Sequence, residues 1–240
     1  MTTISSKSTL GDIVTGHPDL ARELERRSLD YCCGGRQTLA EACGELGLEP
    51  EVVAAELAAV TSAPAAGWAS LGIRELADHI EATHHAYLHE ELPRLAALVA
   101  KVRSVHGDRH PELVEIEKVY EELHQELVPH LMKEERILFP AIRELEETGR
   151  VTTGPGTVGP PISVMISEHD RAGELLAGLR RLTGDYTPPA DGCASYQQLF
   201  AGLAELEADT HLHVHKENNS LFPRALESEL SAGGGTVRAS

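Results

Sequence analysis

Residues 130–140 read HLMKEERILFP and residues 213–223 read HVHKENNSLFP, two copies of H-x-x-K-E-x-x-x-L-F-P. Around the first copy, Leu123, Leu127, His130, Glu134, Ile137 and Ala141 recur at steps of three and four. Around the second, Leu199, Leu203, Leu206, Thr210, His213, Glu217 and Leu221 do the same. Such steps trace one face of an amphipathic helix. A His and a Glu one turn apart therefore sit on the apolar stripe of each helix. Ionisable groups there are costly unless paired or bound to a metal. A lone His on a stripe is ordinarily a hydrogen-bonded core residue. The same His–Glu pair written on two stripes points instead to metal ligation.

The repeat extends upstream. His169 precedes His213 by 44 positions, and a His 44–46 residues before His130 must be His84 or His85. Phase decides between them. Seven and ten residues after His169 come Leu176 and Leu179; the same offsets give Leu92 and Leu95 from His85, but Glu91 and Arg94 from His84. Each half thus offers one His from a first helix and His-x-x-x-Glu from a second. The predicted inward set is His85, His130, Glu134, His169, His213 and Glu217.

The remaining sequence suits this arrangement. The 240 residues are 4% aromatic and carry a net charge of −17 with 13 His. Few strand-favouring aromatics in a Leu-, Ala- and Glu-rich chain indicate helices. The negative charge disfavours nucleic acid and anionic membranes, which need Lys and Arg. No segment reaches the ~18 apolar residues of a membrane span, and the polar start lacks an apolar signal region. A cytoplasmic location with reduced Cys is expected. Pro/Gly-rich breaks at 61–70, 149–161 and 184–192, and a polar gap near 106–112, separate four long helical patterns: 71–106, 112–147, 162–183 and 195–230. The third carries a stripe that includes Val164. The fold expected is all-α, an up-down four-helix bundle over 71–230. A small helical Cys-containing domain covers 1–62, and a disordered tail covers 231–240. In the small domain, helices are expected near 18–28, 38–46 and 50–60, with Thr38 capping the second and Pro50 opening the third. Pro140 and Pro223 should bend or end their helices, and Pro129 should kink its own.

Four imidazoles and two carboxylates exceed the needs of one tetrahedral zinc and are the wrong donors for Ca²⁺ or Mg²⁺. They suit two iron ions, or manganese as second choice, bridged by the carboxylates. The six ligands and an oxo or hydroxo bridge leave a coordination position open. His89, one turn from His85, is a candidate seventh ligand. His211 and His215, two positions either side of His213, point away from the bundle core and are expected in solvent. His84 is expected to be ordinary, and His106 is excluded by its distance of about 31 Å along the helix. The other unusual feature is D-Y-C-C-G-G at 30–35, where Cys32 and Cys33 sit on a Gly-rich turn: either a packing turn of small residues or a redox or metal-handling thiol pair. Cys43 and Cys193 are expected to be inert.

With these residues assembled, LDYCCGGRQTL, HLMKEERILFP, GPPISVMISEHDRAGELL and ENNSLFPRAL resemble the iron–sulfur cluster repair di-iron proteins, also called Repair of Iron Centres, over roughly residues 8–230. The resemblance implies a hemerythrin-like bundle with a non-haem di-iron centre ligated by the six residues above, with Glu134 and Glu217 bridging. It matches Cys32 and Cys33 to a vicinal pair that relays iron or electrons. It matches Glu126 and Glu168 to acidic groups beside the site or its access path. The implied function is repair of iron–sulfur clusters damaged by oxidative or nitrosative stress, through donation of iron. Damaged iron–sulfur proteins are the partners, and a homodimer is an admitted assembly. The alternatives are a di-iron enzyme that reduces nitric oxide or dioxygen and, behind it, a dioxygen carrier or sensor.

Overall fold

A computed structural model describes residues 4–61 and 67–234. Among these residues the elements are helical, apart from one isolated bridge between Thr9 and Thr38. The last helix runs to Gly234, so the expected disordered tail is helical at its start, and residues 235–240 lie outside the described residues.

The N-terminal helices begin where side chains can satisfy their first N–H groups. In α1 (Leu10–Gly16), Thr9 Oγ1 accepts from the Asp12 amide at 3.1 Å. A 3₁₀ turn, Pro18–Leu20, leads into α2 (Ala21–Glu25). In α3 (Leu39–Leu46), Thr38 and Glu41 form the reciprocal capping box, and Gly47 at φ +68° closes the helix. Pro50 opens α4 (Pro50–Val60). The Thr38 and Pro50 expectations hold. The helix expected over 18–28 stops at Glu25, and α1 was not foreseen.

The chain clusters into two compact units. One comprises Ile80–Pro140 and Gly159–Thr210. Its long helices are α6 (Ala86–His106), α7 (Glu112–Lys133), α9 (Gly159–Leu182) and the part of α10 (Ala194–Lys216) up to Thr210. α7 packs against both α6 and α9. All four helices contribute to one apolar core, which includes Leu92, Leu95, Leu123, Leu176, Leu203 and Leu206. Tyr120 seals its hydroxyl there by donating to the Leu92 carbonyl at 2.7 Å.

The other unit comprises Met1–His79, Ala141–Val158 and His211–Ser240. It contains α1–α4, α5 (Ile73–Ile80) up to His79, α8 (Phe139–Thr148) from Ala141, the end of α10, and α11 (Phe222–Gly234). Leu10, Leu24, Leu39 and Leu57 share a core with Val214. Glu146 of α8 caps α5 by accepting from the Ile73 and Arg74 amides at 3.0 and 3.1 Å.

Three π-helical turns interrupt the long helices: Glu81–His85, Glu134–Leu138 and Glu217–Leu221. Two of them end just before the L-F-P prolines. Pro140 and Pro223 do not end their helices; each is the second residue of the α-helix that follows. Proline cannot donate to the carbonyl four residues back and crowds it. A turn widened by one residue ahead of the proline lets the helix continue. α7 likewise carries Pro129 within its span and continues to Lys133. The widened turn also shifts the helical phase. Ile137, expected on the stripe, is 46% exposed, while Leu138 is buried. Val164 is also exposed, because the buried series of α9 runs Ile162, Met165, His169, Ala172, Leu176, Leu179 and passes it by.

Candidate metal centre

In the first unit, two π turns and two regular helices bring His85, His130, Glu134 and His169 together. All four are buried, and Glu134 is wholly inaccessible. Glu134 Oε2 lies 3.4 Å from His85 Nε2 and 3.3 Å from His130 Nε2, and His130 Nε2 lies 3.2 Å from His169 Nε2. The opposite nitrogens meet carboxylates. His85 Nδ1 is 3.1 Å from Glu135 Oε1, and His130 Nδ1 is 3.0 Å from Glu168 Oε2. Assigned from these hydrogen bonds, the proton of each imidazole sits on Nδ1, leaving the Nε2 lone pair toward Glu134. Imidazole nitrogens and a carboxylate oxygen converge here in a buried interior, where a cation would offset their clustered negative charge density. A carboxylate behind each imidazole is also the arrangement that orients and strengthens a histidine ligand. The donor set therefore fits a metal.

The surrounding residues hold this geometry. Phe139 of L-F-P stacks on the His85 ring at a centroid distance of 5.3 Å and an interplanar angle of 21°. Lys133, the Lys of the first motif copy, donates to Glu168 Oε1. Hydrogen bonding to His130, with Lys133 adding to it, holds the Glu168 carboxyl below its usual range.

In the second unit, His213 Nε2 lies 3.2 Å from Glu217 Oε1, and both side chains are buried. The Lys of this copy, Lys216, is buried too. It reaches His79 Nε2 at 3.0 Å and lies 5.6 Å from the Trp68 ring centroid. The same stretch faces the thiol turn on its other side. His215 is fully buried, with Nδ1 donating to the Tyr31 carbonyl and Nε2 accepting from the Thr15 hydroxyl, both at 3.2 Å. Burial pushes its pKa down to about 4, so the ring is neutral. Cys32 and Cys33 are free thiols with their sulfurs 3.8 Å apart. Hydrogen bonding with Cys33, together with burial, raises the Cys32 thiol well above the ordinary range. Asp30, Cys32 and Cys33 place ligand atoms within 4.8 Å of one another, a second group able to take a metal.

Several expectations change. His215, placed in solvent by its spacing, is buried; the spacing turns it from the bundle face, but the N-terminal helices cover it. His211 is partly buried, 3.5 Å from Glu25. His84 is buried and hydrogen-bonded to Asp209 at 2.8 Å. His89 is exposed and meets Glu135 at 2.7 Å, the carboxylate that holds His85 Nδ1. His106 pairs with Cys193 at 3.1 Å. Glu126 is exposed, unlike Glu168. Glu135 was missed altogether; its only signal was its place beside Glu134 at the start of a motif turn.

The comparisons with known proteins agree with this chemistry. The Hemerythrin HHE cation binding domain matches residues 76–225, and a domain of unknown function, DUF542, matches residues 6–61. Among characterised proteins, the iron-sulfur cluster repair protein YtfE of Escherichia coli O157:H7 is 41% identical over 221 residues, covering 92% of this chain and 97% of that protein. YtfE of Escherichia coli O17:K52:H18 and of Shigella boydii serotype 4 are each 40% identical over the same length, with the same coverage. With its hemerythrin-type helical domain and buried His and Glu side chains that fit a di-iron site, the chain belongs to the family of the iron-sulfur cluster repair protein YtfE.

Proposed function

We propose that this chain is a di-iron protein of the cytoplasm that restores damaged iron–sulfur clusters in other proteins by supplying iron. The observation that carries the reading is the buried carboxylate of Glu134 close to Nε2 of both His85 and His130, whose Nδ1 atoms meet Glu135 and Glu168. By the motif repeat and the family resemblance, His85, His130, Glu134, His169, His213 and Glu217 would together hold two ions. Glu134 and Glu217 would bridge them, as the family resemblance implies. The duplicated sequence motif supports this assignment, as does the hemerythrin domain match that runs through all six residues. Mixed nitrogen and oxygen donors favour iron, with manganese next. Iron held in this way supplies one-electron redox chemistry and is itself the cargo.

The chain's own residues set the conditions for that cargo. Glu135 and Glu168 keep His85 and His130 in the ligating tautomer. Helix packing buries Glu134 completely. Residues 1–62 and 71–230 are proposed as two modules, the first bringing the Cys32–Cys33 pair as a relay for iron or electrons. Damaged iron–sulfur proteins, and not nucleic acid, are the proposed partners. No helix among the described residues is long and apolar enough to cross a membrane.

The test mixes the iron-loaded chain with a dehydratase whose cluster has been damaged and follows the recovery of dehydratase activity. Recovery should exceed that from the same amount of free iron, and His130→Ala should abolish the excess together with about half or more of the bound iron. Recovery no greater than with free iron would remove the repair reading. Wild-type protein that binds no iron would remove the metal centre itself.

A further inference from the structure

The Y-C-C-G-G turn and the H-K-E-N-N stretch, far apart in sequence, form two halves of one dock within the second unit. Asn219 Nδ2 donates to the Tyr31 carbonyl at 3.2 Å and to the Cys32 carbonyl at 3.0 Å. Asn218 Nδ2 reaches the Cys32 carbonyl at 3.5 Å, and His215 Nδ1 takes the Tyr31 carbonyl at 3.2 Å. The glycines of the turn make room for this grip. A Cβ on Gly35 would overlap the Asn219 side chain and stand 2.6 Å from the Tyr31 carbonyl oxygen; one on Gly34 would stand 2.7 Å from the Asp30 carbonyl oxygen. Close approach accounts for both glycines.

The dock treats the two sulfurs unequally. Asp30 Oδ1 accepts from the Cys32 and Cys33 amides, each at 3.0 Å, and also from Cys32 Sγ at 3.1 Å. The Cys32 side chain is buried under the gripped backbone, whereas Cys33 is only half-buried. We infer that Asn219 and His215 are positioning residues for the vicinal thiols, which fix Cys32 as the anchored sulfur and present Cys33 as the one that first meets a thiophilic electrophile. The inference deepens the proposed relay role of the pair and depends on that role only for its purpose, since thiol reactivity can be read without it.

The experiment treats the full, iron-loaded chain with iodoacetamide and follows each cysteine by peptide mass spectrometry. In the reaction a cysteine sulfur displaces iodide, a sulfur–carbon bond forms and the thiol proton passes to buffer. In wild type, Cys33 should react at least tenfold faster than Cys32. Asn219→Asp keeps the shape but removes both N–H donors, and should raise the Cys32 rate at least tenfold. The exposed Cys193, distant in sequence from the dock, should keep its rate, and bound iron should be unchanged. His215→Leu should also release Cys32, while His215→Asn, which retains a donor near the Nδ1 position, should restore protection. Equal rates for Cys32 and Cys33 in wild type would overturn the assignment. So would an Asn219→Asp protein with normal iron content and an unchanged Cys32 rate. Failure of the wild type to bind iron would instead strike at the proposed function and leave the thiol result standing.

Discussion

Glu168 stands behind His130 as Glu135 stands behind His85, each carboxylate holding the proton of an imidazole whose other nitrogen faces Glu134. Removing that charge would leave the imidazole in place but make it a poorer donor to a metal. Glu168→Gln should therefore weaken metal binding by roughly ten- to a hundredfold. Titration of the loaded protein against a competing chelator measures this, and an unchanged affinity would show that Glu168 does no more than pair with Lys133. The His and Glu of the candidate centre were legible because each sits on a stripe whose phase can be counted. Glu168 came to notice only through family resemblance, and Glu135 not at all. A residue that acts by reaching across to a neighbouring helix leaves no periodic mark on its own.

At the scale of elements, each π turn begins or ends on a residue of the candidate centre: His85 closes the first, Glu134 opens the second and Glu217 opens the third. The widened turn places these side chains among the buried residues, and the second and third turns also carry the helix past a proline. It also explains why the periodic reading placed Ala141 correctly but chose Ile137 over Leu138, since straight α-helical counting has no extra residue. A second element-scale device lies at the end of α8. There Glu144 accepts from the Thr153 hydroxyl at 2.6 Å, from the Thr152 amide at 3.0 Å and from the Thr152 hydroxyl. Hydrogen bonds from Thr152 and then Thr153 lower its carboxyl to about 2 from the usual 4.5. A depressed carboxylate contributes stability that is full above its ordinary pKa and lost as pH falls through the folded value. The 150–153 turn should therefore keep its Thr152 amide protection down to about pH 4.5 and lose it between there and about 2. Glu144→Gln should abolish that pH dependence in amide-exchange measurements. A wild-type transition centred at or above pH 4.5 would contradict the arrangement.

For the whole molecule, a metal that binds the folded chain and not the unfolded one stabilises it by mass action, by about 4 kcal/mol at a thousandfold excess over the dissociation constant. For a chain of this length that corresponds to a rise in Tm of roughly 8–16 °C. Calorimetry of iron-loaded and chelator-stripped protein should show the difference, and Glu134→Gln should erase most of it. Identical melting of the two forms would mean that the buried carboxylate is satisfied without metal. The helical nature of the chain, the course of its long helices and the His and Glu on their buried faces could all be read from the order of residues. Helical periodicity is a local property, repeated every three to four residues, so it is written wherever a helix is. It took folding in three dimensions to bury His215, to close Asn219 on the thiol turn and to set Glu135 and Glu168 behind the imidazoles. The His215–Tyr31 contact joins residues 184 positions apart, and nothing in the local pattern of either segment encodes a partner that far away.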